Sequence, residues 1–275
     1  MLAAPGAGLT VRAAAIQGLW QRELREGRRR LAALALDLAF GALNLVVFFY
    51  IARSVGSPPH QALDGAPGYF AFAAVGIALV VVMQSAAAQQ VSRVRREQLT
   101  GTLEALVAQP VSVAELAFGL TGAGYLLAAL RALLYLGFAV LALGLDASHA
   151  DVVGVVVVVV LGCASFMALG IALLALALAI RRGEALTRVV LVAVIFPSGA
   201  YFPVGRLPGV LRDLATFMPP RLALDGVRAA LFRGDGWIAD AGWLALSVAI
   251  MLPMSLLAFA AALRLLARRA QLTSP

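Results

Sequence analysis

The chain contains no lysine, one cysteine (Cys163) and two histidines (His60 and His149). Each scarcity removes a class of chemistry. Without lysine there is no Walker A loop, whose lysine reaches the β- and γ-phosphates, and no Schiff-base or lysine-base catalysis. A lone cysteine allows neither an intrachain disulfide nor a cysteine metal cluster. The histidines lie far apart in sequence and no HExxH occurs, so no metal site is expected and no cofactor is assigned to the chain. No nucleophile stands near a base, so a membrane enzyme lacks its machinery.

Charge is scarce too. Charged residues make up 13% of the chain, against about 25% in soluble domains. None occurs in 65–92, 152–180, 189–205 or 241–263; the stretch 31–52 carries only Asp37, and 116–145 only Arg131. What is abundant is apolar: 62% of residues are hydrophobic and the mean hydropathy is +0.94. An apolar run of about 20 residues spans the hydrocarbon layer as a helix. The runs do not alternate as barrel strands would, and even the valines of 151–162 must close their backbone hydrogen bonds within a helix in lipid.

The expectation is an all-α polytopic membrane protein forming one domain over 1–275. Its six transmembrane helices are placed at 31–52, 68–90, 116–145, 152–180, 189–205 and 241–263. The fifth is the shortest and is interrupted by Pro197 and Pro203.

The formal charge of +8 comes entirely from arginine, and position decides its meaning. Fifteen of the 22 basic residues fall in four segments that six spans place on one side. Basic loops stay in the cytoplasm. That predicts both termini inside the plasma (bacterial inner) membrane, with the bilayer rather than nucleic acid as the partner of this charge.

Residues 10–30 put Ile16, Leu19, Trp20 and Leu24 on one helical face among arginines, the pattern of a helix lying in the headgroup plane. In 206–233 two amphipathic stretches flank Pro219–Pro220, and Arg221, Asp225 and Arg228 are spaced to pair. They predict short re-entrant or outer helices between spans five and six.

The segment 92–109 is unlike its surroundings. Leu99, Leu103, Leu106 and Val107 form a stripe on a helix that also carries Arg95, Arg96, Glu97 and Glu104, and Pro110 stops it. So short a helix must dock on something. Mixed charge beside a leucine stripe suits a protein groove better than a membrane surface.

These residues resemble a known family. "RREQLTGTLEALVAQPVS" (95–112) is similar to the cytosolic coupling segment of type-2 ABC transporter permeases, through Glu97, Gly101, Thr102, Leu103, Glu104, Leu106 and Pro110. A second run, 198–231, is similar to that family's S-G-x-x-F-P…D-x-x-R pattern through Ser198, Gly199, Phe202, Pro203, Leu207, Pro208, Pro219, Asp225 and Arg228. Where many relatives continue "P-l-t-y", this chain reads "PPRLAL".

The resemblance implies a half-transporter. A second permease copy or a sister permease would complete the pathway, and a separate ABC ATPase subunit, holding ATP and Mg²⁺, would dock on the coupling helix. It puts Arg96, Glu97, Gly101, Thr102, Leu103 and Glu104 at that interface, with Arg181, Arg182 and Glu184 as a smaller second contact. Pathway lining would come from spans one, two and five, with Asn44, Gln84 and Ser85 the polar candidates. Export of a lipid-like, drug-like or glycan-lipid cargo is the expected function.

Two intramembrane charges stand apart. Asp37 and Arg131 would form an ion pair tying span one to span three, or each would snorkel alone. The alternative function is an ion-coupled secondary transporter, which would place a carboxylate or broken helix at the membrane midplane. By sequence Asp37 lies too shallow for this and Arg131 has the wrong sign.

Overall fold

The computed structural model describes residues 27–55, 63, 65–99, 112–180, 183–216 and 218–273. Among them all regular structure is helical. Helix α1 spans Gly27–Val55, and α2 spans Tyr69–Gly76. A π-turn at Ile77–Val81 joins α2 to α3, Val82–Leu99. Then come α4, Val113–Leu143, α5, Val152–Ala179, and α6, Gly183–Ile195. Two 3₁₀ turns, Phe196–Ser198 and Val204–Arg206, precede α7, Gly209–Thr216, and α8, Pro219–Arg228. A second π-turn, Ala229–Arg233, leads to α9, Trp237–Thr273.

Among the described residues five stretches are long and apolar enough to cross a membrane: Leu34–Ser54, Tyr69–Ser92, Val113–Leu143, Val152–Ala179 and Trp237–Leu266. The fifth predicted span, 189–205, differs. Its helix has 13 residues, about 20 Å at 1.5 Å per residue, short of the roughly 30 Å hydrocarbon layer. Pro197 and Gly199, the latter at φ 81°, end it. The chain turns there instead of continuing to 205.

Sequence punctuation sets the other ends. Ser112 and Glu115 form a capping box on α4: the Glu115 N–H donates to Ser112 Oγ at 3.2 Å, and the Ser112 N–H to Glu115 Oε2 at 2.7 Å. Asp151 caps α5, accepting from the Gly154 N–H at 3.1 Å, and its other oxygen accepts from Trp237 Nε1 at 2.9 Å. One carboxylate therefore ties the start of α5 to the start of α9. Helix α5 is the hub, packing on α9, α8, α4 and α3. Its Val155, Val158, Val159, Phe166 and Leu174 are buried.

Helix α8 does not lie on the surface. Gly162 faces Ala223, Gly226 faces Val158, and the Asp151 N–H donates to Ala230 O at 2.8 Å. Residues 223, 226 and 230 thus meet 162, 158 and 151 in turn, so α8 runs antiparallel to α5. Gly162 stands ten residues into α5, about 15 Å below its start. The amphipathic stretch after Pro219–Pro220 is a half-helix that rises from inside the bundle.

Candidate functional site

Three features stand out. The first is a knot around Arg228, whose side chain is only 1% exposed. Its Nη2 donates to Gly199 O at 2.9 Å and to Phe72 O at 3.3 Å, and the guanidinium lies 3.9 Å from the centre of the Phe72 ring. Asp225 Oδ1 stands 3.7 Å from Nη1, and Asp225 Oδ2 accepts from Arg221 Nε at 2.6 Å. A planar fork of donors can serve two carbonyls while stacking on a ring, which an ammonium cannot do. Carbonyls beyond a helix end carry partial negative charge, so the cation also suits the end of α6. Close approach completes the knot: at Gly76 a Cβ would overlap Ala200 O. One arginine thereby joins α2, the turn after α6, and α8. The sequence spacing marked Arg228 as a pairing residue but not as the buried centre of three elements. Its signal was one arginine in an otherwise apolar turn of helix.

The second feature joins α1 to α4. Arg131 Nη1 lies 3.1 Å from Asp37 Oδ2, and Tyr135 Oη donates to Asp37 O at 2.7 Å. The pairs are spaced i, i+4 on both helices, because Tyr135 also fills the space beside Gly41. Arg131 is largely buried, while the Asp37 side chain is 52% exposed. Arg131 is 18 residues into α4, and Asp37 three residues into the apolar stretch Leu34–Ser54. Helix α1 is otherwise lightly held: Leu45 is its one fully buried apolar residue among those described, and Leu36, Phe40, Leu43, Val47 and Tyr50 are exposed. At its far end Phe49 meets Phe70 edge to face at 5.2 Å.

The third is α3. Helix continues from Val82 to Leu99, so residues 92–99 are the end of the second span's own helix rather than the start of a separate one. Backbone at Arg96 and Glu97 belongs to it. Gly101, Thr102, Leu103, Glu104, Arg181 and Arg182 lie outside the described residues, as do 10–26 of the expected interfacial helix; Glu184 is the second residue of α6. Asn44, Gln84 and Ser85 are half-buried, and Ser85 Oγ donates to Val82 O at 2.7 Å. Asn44 is on α1 and the other two are on α3. Among the described residues no cluster of three His, Cys, Asp or Glu side chains could hold a metal.

The sequence model for ABC-2 type transporters matches residues 14–232. The chain belongs to the ABC-2 type transporter family. It is therefore a membrane permease component of an ABC transporter, a multi-pass transport protein that is not itself catalytic. Permeases of this family typically pair with an ATPase subunit. No curated protein matches the chain significantly.

Proposed function

We propose that this permease is half of an ATP-driven exporter, worked from the cytoplasm by a separate ATPase subunit. ATP and Mg²⁺ sit on that subunit, and no cofactor on this one. A second copy or a sister permease completes the pathway in the bacterial inner membrane, with both termini cytoplasmic. The crossing count is six, α6 and the half-helix α8 together carrying the fifth passage.

One observation supports this most. Helix α3 runs unbroken to Leu99, into the sequence that resembles the family's coupling segment. A protein that grips 96–104 through Arg96, Glu97, Gly101, Thr102, Leu103 and Glu104 also holds the lower half of span two. Arg181, Arg182 and Glu184 form the smaller contact. Closure of two ATPase subunits then biases the spans between packings through differential contact energy. The Asp37–Arg131 pair keeps α1 against α4 through this movement, and Asn44, Gln84 and Ser85 face the pathway. The cargo is lipid-like, drug-like or a glycan-lipid, since the spans carry no cluster of charge to match a multiply charged small ion.

The test is purification with candidate ATPase subunits, followed by ATP turnover in the presence of amphiphiles. The proposal predicts a stable complex whose turnover responds to an amphiphile. Absence of any ATPase from the purified protein, with ion-gradient-driven uptake instead, contradicts it.

A further inference from the structure

Helices α3 and α4 are the two legs that flank the coupling segment: α3 runs into it at Leu99, and α4 begins beyond it at Val113. A buried side chain clasps the legs together. Gln90 of α3 is 6% exposed, and its Nε2 donates to Thr121 O on α4 at 2.8 Å. Thr121 is fully buried, with its own hydroxyl turned to Ala117 O at 2.8 Å. Gly124, about one turn further along α4, makes room for the amide: a Cβ there would stand 2.6 Å from Gln90 Nε2.

The clasp sits at matching distances along the two legs. Gln90 is nine residues before Leu99 and Thr121 eight after Val113, about 14 Å and 12 Å at 1.5 Å per residue. Around it Val91, Val94, Leu116 and Ala117 are buried in one apolar cluster. Apolar contact is non-directional, whereas a hydrogen bond weakens steeply as its angle closes. The packing holds the legs together, and the amide fixes their register. As static glue the amide is a poor choice. Its Oε1 is buried and meets no hydrogen-bond donor among the described residues, a cost that an apolar side chain of similar size would not carry.

We infer that Gln90 is a positioning residue for transport: it locks the lower half of span two to span three, so that movement of the coupling segment carries both legs as one lever. The first π-turn, Ile77–Val81, divides this lever from α2, which the Arg228 knot holds through Phe72. Gln90 touches neither the coupling residues nor the expected lining, and the inference rests on the transport reading above.

Two variants break the clasp from opposite sides. Gln90→Leu removes the donor and the stranded oxygen together, and Thr121 O keeps its place in the α4 ladder. Gly124→Ala displaces the amide, the end of a flexible side chain, while favouring helix in α4. Each is made in a Cys163→Ala background, which leaves no native cysteine. Spin labels are placed at exposed Met254 on α9 and at either Gln89 on α3 or Leu126 on α4. Labelled chains are diluted among unlabelled ones in the full transporter, and distances are read before and after trapping with Mg-ATP and vanadate.

In the parent protein both distances should change on trapping. In either variant the 89–254 change should remain, and the 126–254 change should fall severalfold. The double variant should lose no more than one alone, since both act on one bond. An undiminished 126–254 change in both variants overturns the inference, as does a parent that traps nucleotide while neither distance moves. Equal loss at 89 and 126 also overturns it, because that reports weakened docking and not a broken clasp. A transporter from which no ATPase co-purifies would instead fault the transport reading, so the two failures are told apart.

Discussion

Arg228 is the residue on which α2, the turn after α6 and α8 converge. Replacement by alanine removes donors from Gly199 O and Phe72 O and strips the Phe72 ring of its partner. Hydrogen bonds from charged groups are worth about 1.5–3 kcal/mol each. Arg228→Ala should therefore lower stability by about 2–4 kcal/mol, read as a drop in the unfolding temperature of the detergent-purified protein. Arg228→Lys should recover little, because a point charge cannot reach two carbonyls and cover a ring; a lysine variant of near-native stability contradicts the knot.

The pair on α1 and α4 is tested by a cycle. Asp37→Ala strands a largely buried guanidinium, whereas the double change with Arg131→Ala strands nothing. Folded yield should fall in the first and partly return in the second, with a coupling of roughly 0.5–3 kcal/mol. Additive losses would mean that the two charges act alone. Both positions were legible in the sequence as rare charges within apolar runs. Their contact was not, since no local periodicity links a residue three positions into Leu34–Ser54 with one 18 residues into α4.

At the scale of elements, five of the six expected spans read directly from apolar length, because lipid leaves a long apolar segment little choice but helix. Span five did not. Pro197, Gly199 and Pro203 were visible, yet how the chain turns depends on Gly76 letting the Ala200 carbonyl approach and on Arg228 reaching back across the bundle. Such long-range closures have no local periodicity. The π-turns at 77–81 and 229–233 were equally silent, since a π-turn differs from α-helix by one hydrogen-bond register.

The first π-turn lies between the half of span two pinned to the knot and the half that runs to Leu99. Gly76→Val should push the Ala200 turn away and cost about 1–3 kcal/mol, as overpacking does. Spin labels on α2 and on the turn at 200–203 should then move apart; an unchanged separation would mean that Gly76 is not the point of contact.

For the molecule as a whole, apolar length carries the membrane class, and the motifs carry the family, matched over 14–232. The composition says little about cargo, because transport by a permease is decided by which faces meet water and not by how many polar residues there are. Helix α1, held by one ion pair, one tyrosine and an aromatic contact at its far end, is the element best suited to shift between packings. Gly41→Leu should drive it off Tyr135, and cross-linking between cysteines on α1 and α4 should fall severalfold.

The most direct measurement is photo-cross-linking from within the coupling segment. A photoreactive residue at Leu103 or Glu104, and a control at exposed Asp235, are introduced one at a time in cells that express the full transporter. The account predicts an adduct with an ABC ATPase from 103 and 104 and none from 235. An adduct only with lipid or extracytoplasmic proteins from 103 and 104 contradicts it.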